Sequence, residues 1–155
     1  MKSKLAEIGV KHTKEYDIDF KKDLKFGLEW ENELKKILGN KKLEVKTDKK
    51  WSKTGNIAVE IESRGKPSGL STTKSDYWAF ILWQKQEKPN IILIPIDRLQ
   101  TITGYFQRKK KVVMGGDANT SKLVLIPLEV INDYETQIEI QEMVNEKYSE
   151  ENKQK

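Results

Sequence analysis

Residues 56–63 read Asn-Ile-Ala-Val-Glu-Ile-Glu-Ser, with Ile57, Val59 and Ile61 alternating with Ala58, Glu60 and Glu62. Successive side chains of a β-strand leave on opposite faces, so the pattern predicts one apolar face and one doubly acidic face. Glu60 and Glu62 would then stand roughly 7 Å apart along the strand, within reach of one metal ion or phosphate. Carboxylates held that close repel, and one of them titrates upward unless a cation joins the pair. The chain has no cysteine and a single histidine, His12, which is read as background. That composition argues against thiolate or multi-histidine zinc and against a Ser–His triad. A metal here would be held by carboxylate and carbonyl oxygens, which favours Mg²⁺ or Mn²⁺.

The elements before this strand bring further acids. Leu24, Leu28, Glu31, Leu34, Ile37 and Leu38 recur near helical spacing, predicting a helix from about Asp23 to Leu38. Asp23 would cap it and Gly39-Asn40 would end it. Glu31 shares the leucine stripe and is expected to point to the core side, with Glu29 and Glu33 competing for its role. A strand is predicted over Leu43–Thr47 and a polar turn over Asp48–Gly55. Asp48 is the sole acid between Glu44 and Glu60; it serves either as a ligand or as the turn residue that aspartate favours. Helix, turn and strand acids together would make an all-oxygen cage for a hard divalent ion. Such an ion generates hydroxide from bound water and neutralises charge growing on an attacked phosphate.

The loop Arg64–Ser71 carries Gly65, Pro67 and Gly69, so its backbone needs special geometry. It reads as a phosphate cradle of backbone N–H groups or as an ordinary tight turn. Lys74 follows it, as a catalytic cation, a phosphate anchor or a solvated lysine. The net charge of +5 is concentrated at Lys41, Lys42, Lys46, Lys49, Lys50 and Lys53 and again over Arg108–Lys111. Basic blocks flanking a carboxylate site suit a polyanion, and the bland alternative is a solvated face. Trp51, set among Lys49, Lys50 and Lys53, is the candidate for base stacking. Trp78 and Trp83 fall in the apolar run Tyr77–Trp83 and are expected in the core.

With 155 residues and 36% hydrophobic content, the chain is expected to form one domain over 1–147. Residues 1–20 would be an N-terminal arm, with a short strand or extended segment over Tyr16–Phe20, and 148–155 a frayed polar tail. No run of 18 apolar residues and no signal peptide is seen, which gives the expectation of a cytoplasmic protein without a membrane partner. Ile92-Leu93-Ile94-Pro95-Ile96-Asp97 is echoed by Val124-Leu125-Ile126-Pro127-Leu128-Glu129, predicting two buried strands that each lead through proline into a helix. Val112–Thr120 reads as a strand entering a tight loop. Mingled helices and strands give an α/β class with a mixed central sheet flanked by helices.

The ordered set of acids resembles the PD-(D/E)xK nuclease superfamily, the restriction-endonuclease-like fold. Gly27–Leu34 is similar to that family's Gly-x-x-x-Glu-x-x-apolar helix pattern, which places the helix acid on Glu31. The resemblance implies that Asp48 is the metal-binding Asp and Glu60 the acid that opens Glu-x-Lys on the following strand of a hairpin. Glu62 stands where the family usually has lysine, so either Glu62 or Lys74 would orient the nucleophile. Residues 64–78 and 115–122 look like small phage-type members, and the likeness spans roughly Gly27 to Leu128. It implies a Mg²⁺- or Mn²⁺-dependent DNA endonuclease, in the host cytoplasm if phage-encoded, and a homodimer for duplex cleavage. DNA contacts would come from Lys49, Lys50, Trp51, Lys53, Arg64, Lys66, Ser71, Thr72, Lys109 and Lys110. The missing lysine leaves an alternative, a DNA-binding or virion-assembly protein that keeps the fold without cleavage.

Overall fold

The computed structural model describes residues 20–85 and 88–153 of the protein. Of the arm expected over 1–20, residues 1–19, His12 among them, lie outside the described residues, and Phe20 begins the first helix. The elements run α1 (Phe20–Asn40), β1 (Leu43–Asp48), α2 (Trp51–Thr54), β2 (Asn56–Ser63), β3 (Lys66–Pro67), β4 (Tyr77–Leu82), β5 (Asn90–Pro95), α3 (Ile96–Arg108), β6 (Val112–Gly115), β7 (Ser121–Pro127) and α4 (Tyr134–Lys153). The class is α/β. The chain divides into two units, one ending at Asn40 and one from Lys41 onward.

The first unit contributes α1. Its predicted core stripe is open to solvent: Leu28, Leu34 and Leu38 are 50%, 49% and 62% exposed, and Glu31 is exposed as well. Glu29 and Glu33, the competitors of Glu31, lie near Lys25 and Lys36 in exposed i,i+4 and i,i+3 ion pairs.

The second unit holds two sheets, with strand orders β1-β4-β5 and β3-β2-β7-β6. One mixed central sheet was expected, with β1 and β2 as a hairpin. Instead β1 pairs in parallel with β4, and β2 pairs antiparallel with β7 and β3. The short helix α2 intervenes between β1 and β2, its end turned by Gly55 at φ +68°, so the chain leaves one sheet and enters the other. Ile57 and Val59 of β2 lie opposite Ile126 and Val124 of β7. All four are fully buried, in one core with Trp78, Phe80, Leu99 and Phe106. Each such side chain contributes about 1.5–3 kcal/mol by leaving water.

The two proline echoes take the same backbone turn. Pro95 (φ −57°, ψ 142°) precedes α3, and Pro127 (φ −59°, ψ 133°) precedes a short 3₁₀ turn. Proline's fixed φ suits this entry position. Helix α3 packs on β7, β5 and β4, and the Tyr105 hydroxyl donates to Glu139 of α4, which raises the phenol above its usual range. Asp133 caps α4 by accepting the Thr136 N–H at 2.9 Å, and this hydrogen bonding holds its carboxyl below the usual range. Helix α4 continues to Lys153, through the segment from 148 that was expected to fray.

Candidate functional site

Strand β1 is built with its charges inward. Leu43, Val45 and Thr47 are exposed, while Glu44, Lys46 and Asp48 on the alternate positions are half-buried. These three lie opposite Trp78, Phe80 and Leu82 of β4, so they share the face that β4 turns to the core. Burying charge beside apolar side chains is costly unless the charges are paired or used. Part of the cost is met locally. Lys46 Nζ pairs with Glu44 Oε1 at 2.5 Å and lies 4.9 Å from the centre of the Trp78 ring. Glu44 Oε2 accepts the Thr73 hydroxyl at 3.2 Å, and Thr73 also accepts the Trp78 indole N–H at 3.3 Å.

Asp48 ends the strand with a fixed carboxylate. Its Oδ1 accepts the backbone N–H of Lys50 at 2.7 Å and of Trp51 at 2.9 Å, starting α2. It thus fills the turn role that its sequence position allows, and it also lines a cavity. That cavity, of about 350 Å³, is bounded by Lys46, Thr47, Asp48, Lys49, Lys50, Ala58 and Phe80. Ala58 brings the polar face of β2 to this space, and Glu60 is the next residue on that face. The charge of Lys46 acts on Glu60, with hydrogen bonds from Ser68 and Ser121 as the larger influences, and together they hold its carboxyl below the usual range against the effect of burial. Asp48 and Lys46 thus share the cavity with Ala58, and Lys46 is near enough to Glu60 for its charge to be felt there.

Glu60 and Glu62 do not share a face. A β-bulge lies between them: Glu60 is opposite Leu123, while Glu62 is opposite Lys122. Adjacent residues of β7 point to opposite sides, and directly paired residues share a side, so the bulge sends the two glutamates apart. The contacts agree. Glu60 accepts the Ser68 hydroxyl at 2.6 Å, and the hydroxyl of Ser121, which also influences its carboxyl, lies 3.2 Å from that of Ser63. Glu62 is ion-paired to Lys122 at 2.9 Å.

The loop after β2 is fastened to this bulge. Arg64 and Gly65, both at positive φ (51° and 74°), make the two-residue turn into β3, a primed turn that matches strand twist. The Ser68 N–H and the Ser71 hydroxyl both donate to the Ile61 carbonyl, at 3.1 and 2.7 Å. Gly69, at φ +54°, lies so close that an added Cβ would sit 2.4 Å from the Glu60 carbonyl oxygen. These serines and glycines therefore serve the bulge, and Thr72 donates back to Gly69 at 3.4 Å. Arg64, Lys66 and Lys74 are exposed. Lys74 sits between Thr73, bonded to Glu44, and Asp76, whose carboxylate accepts the Lys42 N–H at 2.8 Å. That is the end of β1 away from Asp48. Lys109 and Lys110 close α3, with Lys109 Nζ 5.3 Å from the Tyr105 ring centre.

Two tryptophans exchange their expected places. Trp51 is half-buried against the core and donates its indole N–H to the Trp83 carbonyl at 3.1 Å, while Trp83 is 39% exposed.

Among the described residues no three His, Cys, Asp or Glu side chains gather to hold a metal ion. Glu31 belongs to the first unit. The second unit offers Asp48 and Lys46 on the cavity and Glu60, two residues beyond Ala58 on β2 and within the influence of Lys46. That donor set fits a magnesium ion, which commonly takes one or two carboxylates and fills its remaining positions with water and phosphate oxygens. Ser68 and Ser121 were not singled out individually from the sequence, Lys46 was read only as part of a basic block, and Trp83 was expected in the core. The signal for Lys46 was present in Glu44-x-Lys46-x-Asp48, three charges at strand period between exposed apolar residues. No helix among the described residues is long and apolar enough to cross a membrane. No protein family, curated protein or solved structure matches the chain.

Proposed function

We propose that the protein is a Mg²⁺- or Mn²⁺-dependent DNA endonuclease of the restriction-endonuclease-like kind, acting in the cleft between β1 and β2. The observation that carries this reading is the inverted strand: β1 turns Glu44, Lys46 and Asp48 inward and leaves Val45 57% exposed. A fold that exposes valine to keep lysine and aspartate against a cavity is serving a site. Asp48 and Glu60 would hold the divalent ion. When bound, the ion supplies a hydroxide at neutral pH and offsets charge on the phosphate. The two backbone N–H groups on Asp48 and the Ser68 hydroxyl on Glu60 fix those carboxylates before any ligand arrives. Lys46 supplies the cation that residue 62 lacks, beside Glu60 and facing the same space, where it would meet a phosphate oxygen. Lys49 and Lys50 on the rim would hold the backbone, giving salt-sensitive and weakly sequence-selective binding.

A second reading is favoured by the pairing of Glu62 with Lys122, which removes an acid from the cleft. It is a DNA-binding or virion-assembly protein without cleavage. Incubating plasmid, single-stranded and branched DNA with the protein in Mg²⁺, Mn²⁺ or EDTA separates the two. Metal-dependent cleavage is expected, lowered at least about a hundredfold by Glu60→Ala and only a few-fold by Glu62→Ala. DNA binding with no cleavage of any substrate would select the second reading, and equal loss in both variants would remove the assigned cleft.

A further inference from the structure

Trp83 stands next to the cleft with its backbone held on both sides. Its N–H donates to the Asp48 carbonyl at 3.0 Å, and its carbonyl accepts the Trp51 indole N–H at 3.1 Å. The residue is nevertheless 39% exposed, whereas Trp78 of the preceding strand β4 is fully buried. Trp83 is thus a large aromatic surface displayed by a pinned backbone, which lowers the entropy lost when something stacks on it. Lys49 Nζ lies 5.6 Å from the ring centre, and Lys49 and Lys50 also wall the cavity beside Asp48. Aromatic face, adjacent ammonium groups and a carboxylate cleft are joined over a few residues. Sites for unpaired nucleic acid combine these parts, a base on the ring and the neighbouring phosphates on lysine.

We propose that Trp83 is a stacking platform for an unpaired base, so that the preferred DNA has a single-stranded segment beside the bond presented to the cleft. This rests on reading the cleft as a DNA-cleaving site, and it adds the substrate class. Paired bases in a duplex offer their edges and not their faces, so the platform discriminates between the two forms.

The test is binding by fluorescence anisotropy in EDTA, with a labelled single strand and a blunt duplex of the same sequence. Trp83→Ala is expected to weaken single-strand binding about 5- to 100-fold and duplex binding less than about twofold. Trp83→Phe should keep most of the affinity, since phenylalanine still stacks. Single-strand binding should also quench tryptophan emission in the wild type and much less in Trp83→Phe, a readout that stands even if Trp83→Ala fails to fold. Unchanged single-strand affinity in Trp83→Ala, equal losses for both DNAs, or a wild type that binds no single strand would overturn the proposal. Single-strand binding without metal-dependent cleavage would remove the enzyme reading alone. Metal-dependent cleavage of a substrate with a single-stranded segment that is indifferent to Trp83→Ala would remove the platform alone.

Discussion

The two sides of β2 differ more than its sequence does. On one side Glu60 accepts the Ser68 hydroxyl and feels Ser121 and the charge of Lys46. On the other, two residues along, Glu62 is closed by Lys122 in a pair whose side chains are 36% and 37% exposed. One inserted residue in the ladder separates a candidate site from a surface ion pair. The lesson is that the bulge, and the loop that clamps it, determines which acid is available for chemistry. Bulges re-aim side chains next to active sites in this way.

The strongest way to break the comparison is to remove the clamp. Gly69→Ala puts a Cβ 2.4 Å from the Glu60 carbonyl oxygen and 2.9 Å from its Cβ, at a residue with φ +54°. Backbone strain and a clash with backbone act together, and no flexible side chain can yield. The expected cost is about 3 kcal/mol or more, read as a lower denaturation midpoint at unchanged slope. Where the variant still folds, the cleft should lose activity with Glu60 displaced. A variant as stable as the wild type would mean that the loop does not hold the bulge as described. Gly65→Ala, with no atom near the added Cβ, provides the control for positive φ alone.

Acid separates the two glutamates more gently. The Ser68 and Ser121 hydrogen bonds and the Lys46 charge lower the Glu60 pKa in the folded protein relative to the unfolded chain. The folded state therefore binds fewer protons, and its stability from this group is present above the unfolded pKa and lost as pH falls through the folded one. Stability measured by urea titration should decline through the carboxylate range, and Glu60→Gln should flatten that decline. Because the group is only half-buried and partly screened by solvent, the effect is modest. A Glu60→Gln profile parallel to the wild type would show that its partners do not favour the charged form.

Much of the second unit was legible from pattern. Strand β2 was predicted over its observed span, the two Ile-Pro and Leu-Ile-Pro echoes gave the turns into α3 and the 3₁₀ segment, and the α/β class followed from the alternation of elements. What periodicity could not supply was the pairing. Alternation assumes an unbroken pleat, and a bulge at Ile61 is set by the partner strand and the loop, not by local residue types. The same limit hid the separation of β1 and β2 into different sheets, because a short polar turn reads alike whether it closes a hairpin or carries the chain onward. The inward side of β1 was not legible for another reason: apolar residues at alternate strand positions ordinarily point inward, and here Leu43 and Val45 do not. Trp83 was assigned to the core by the company it keeps in sequence, although strand β4 ends at Leu82 and no neighbouring strand covers the next residue.

The finest test of the comparison is the pair on the far side. If the bulge places Glu62 against Lys122 and away from the cleft, the two side chains should be energetically coupled to each other and uncoupled from Glu60. A double-mutant cycle with Glu62→Ala and Lys122→Ala is expected to give a coupling of about 0.2–1 kcal/mol, since both groups are partly solvated and screened. Added salt should reduce it. The cycle with Glu60→Ala in place of Lys122→Ala should be additive within about 0.5 kcal/mol. If Glu60 and Glu62 instead show a repulsive coupling that divalent metal reverses, they share one face and one ion. The bulge would then have to give way when metal binds, and Glu62 would return to the site from which this geometry removes it.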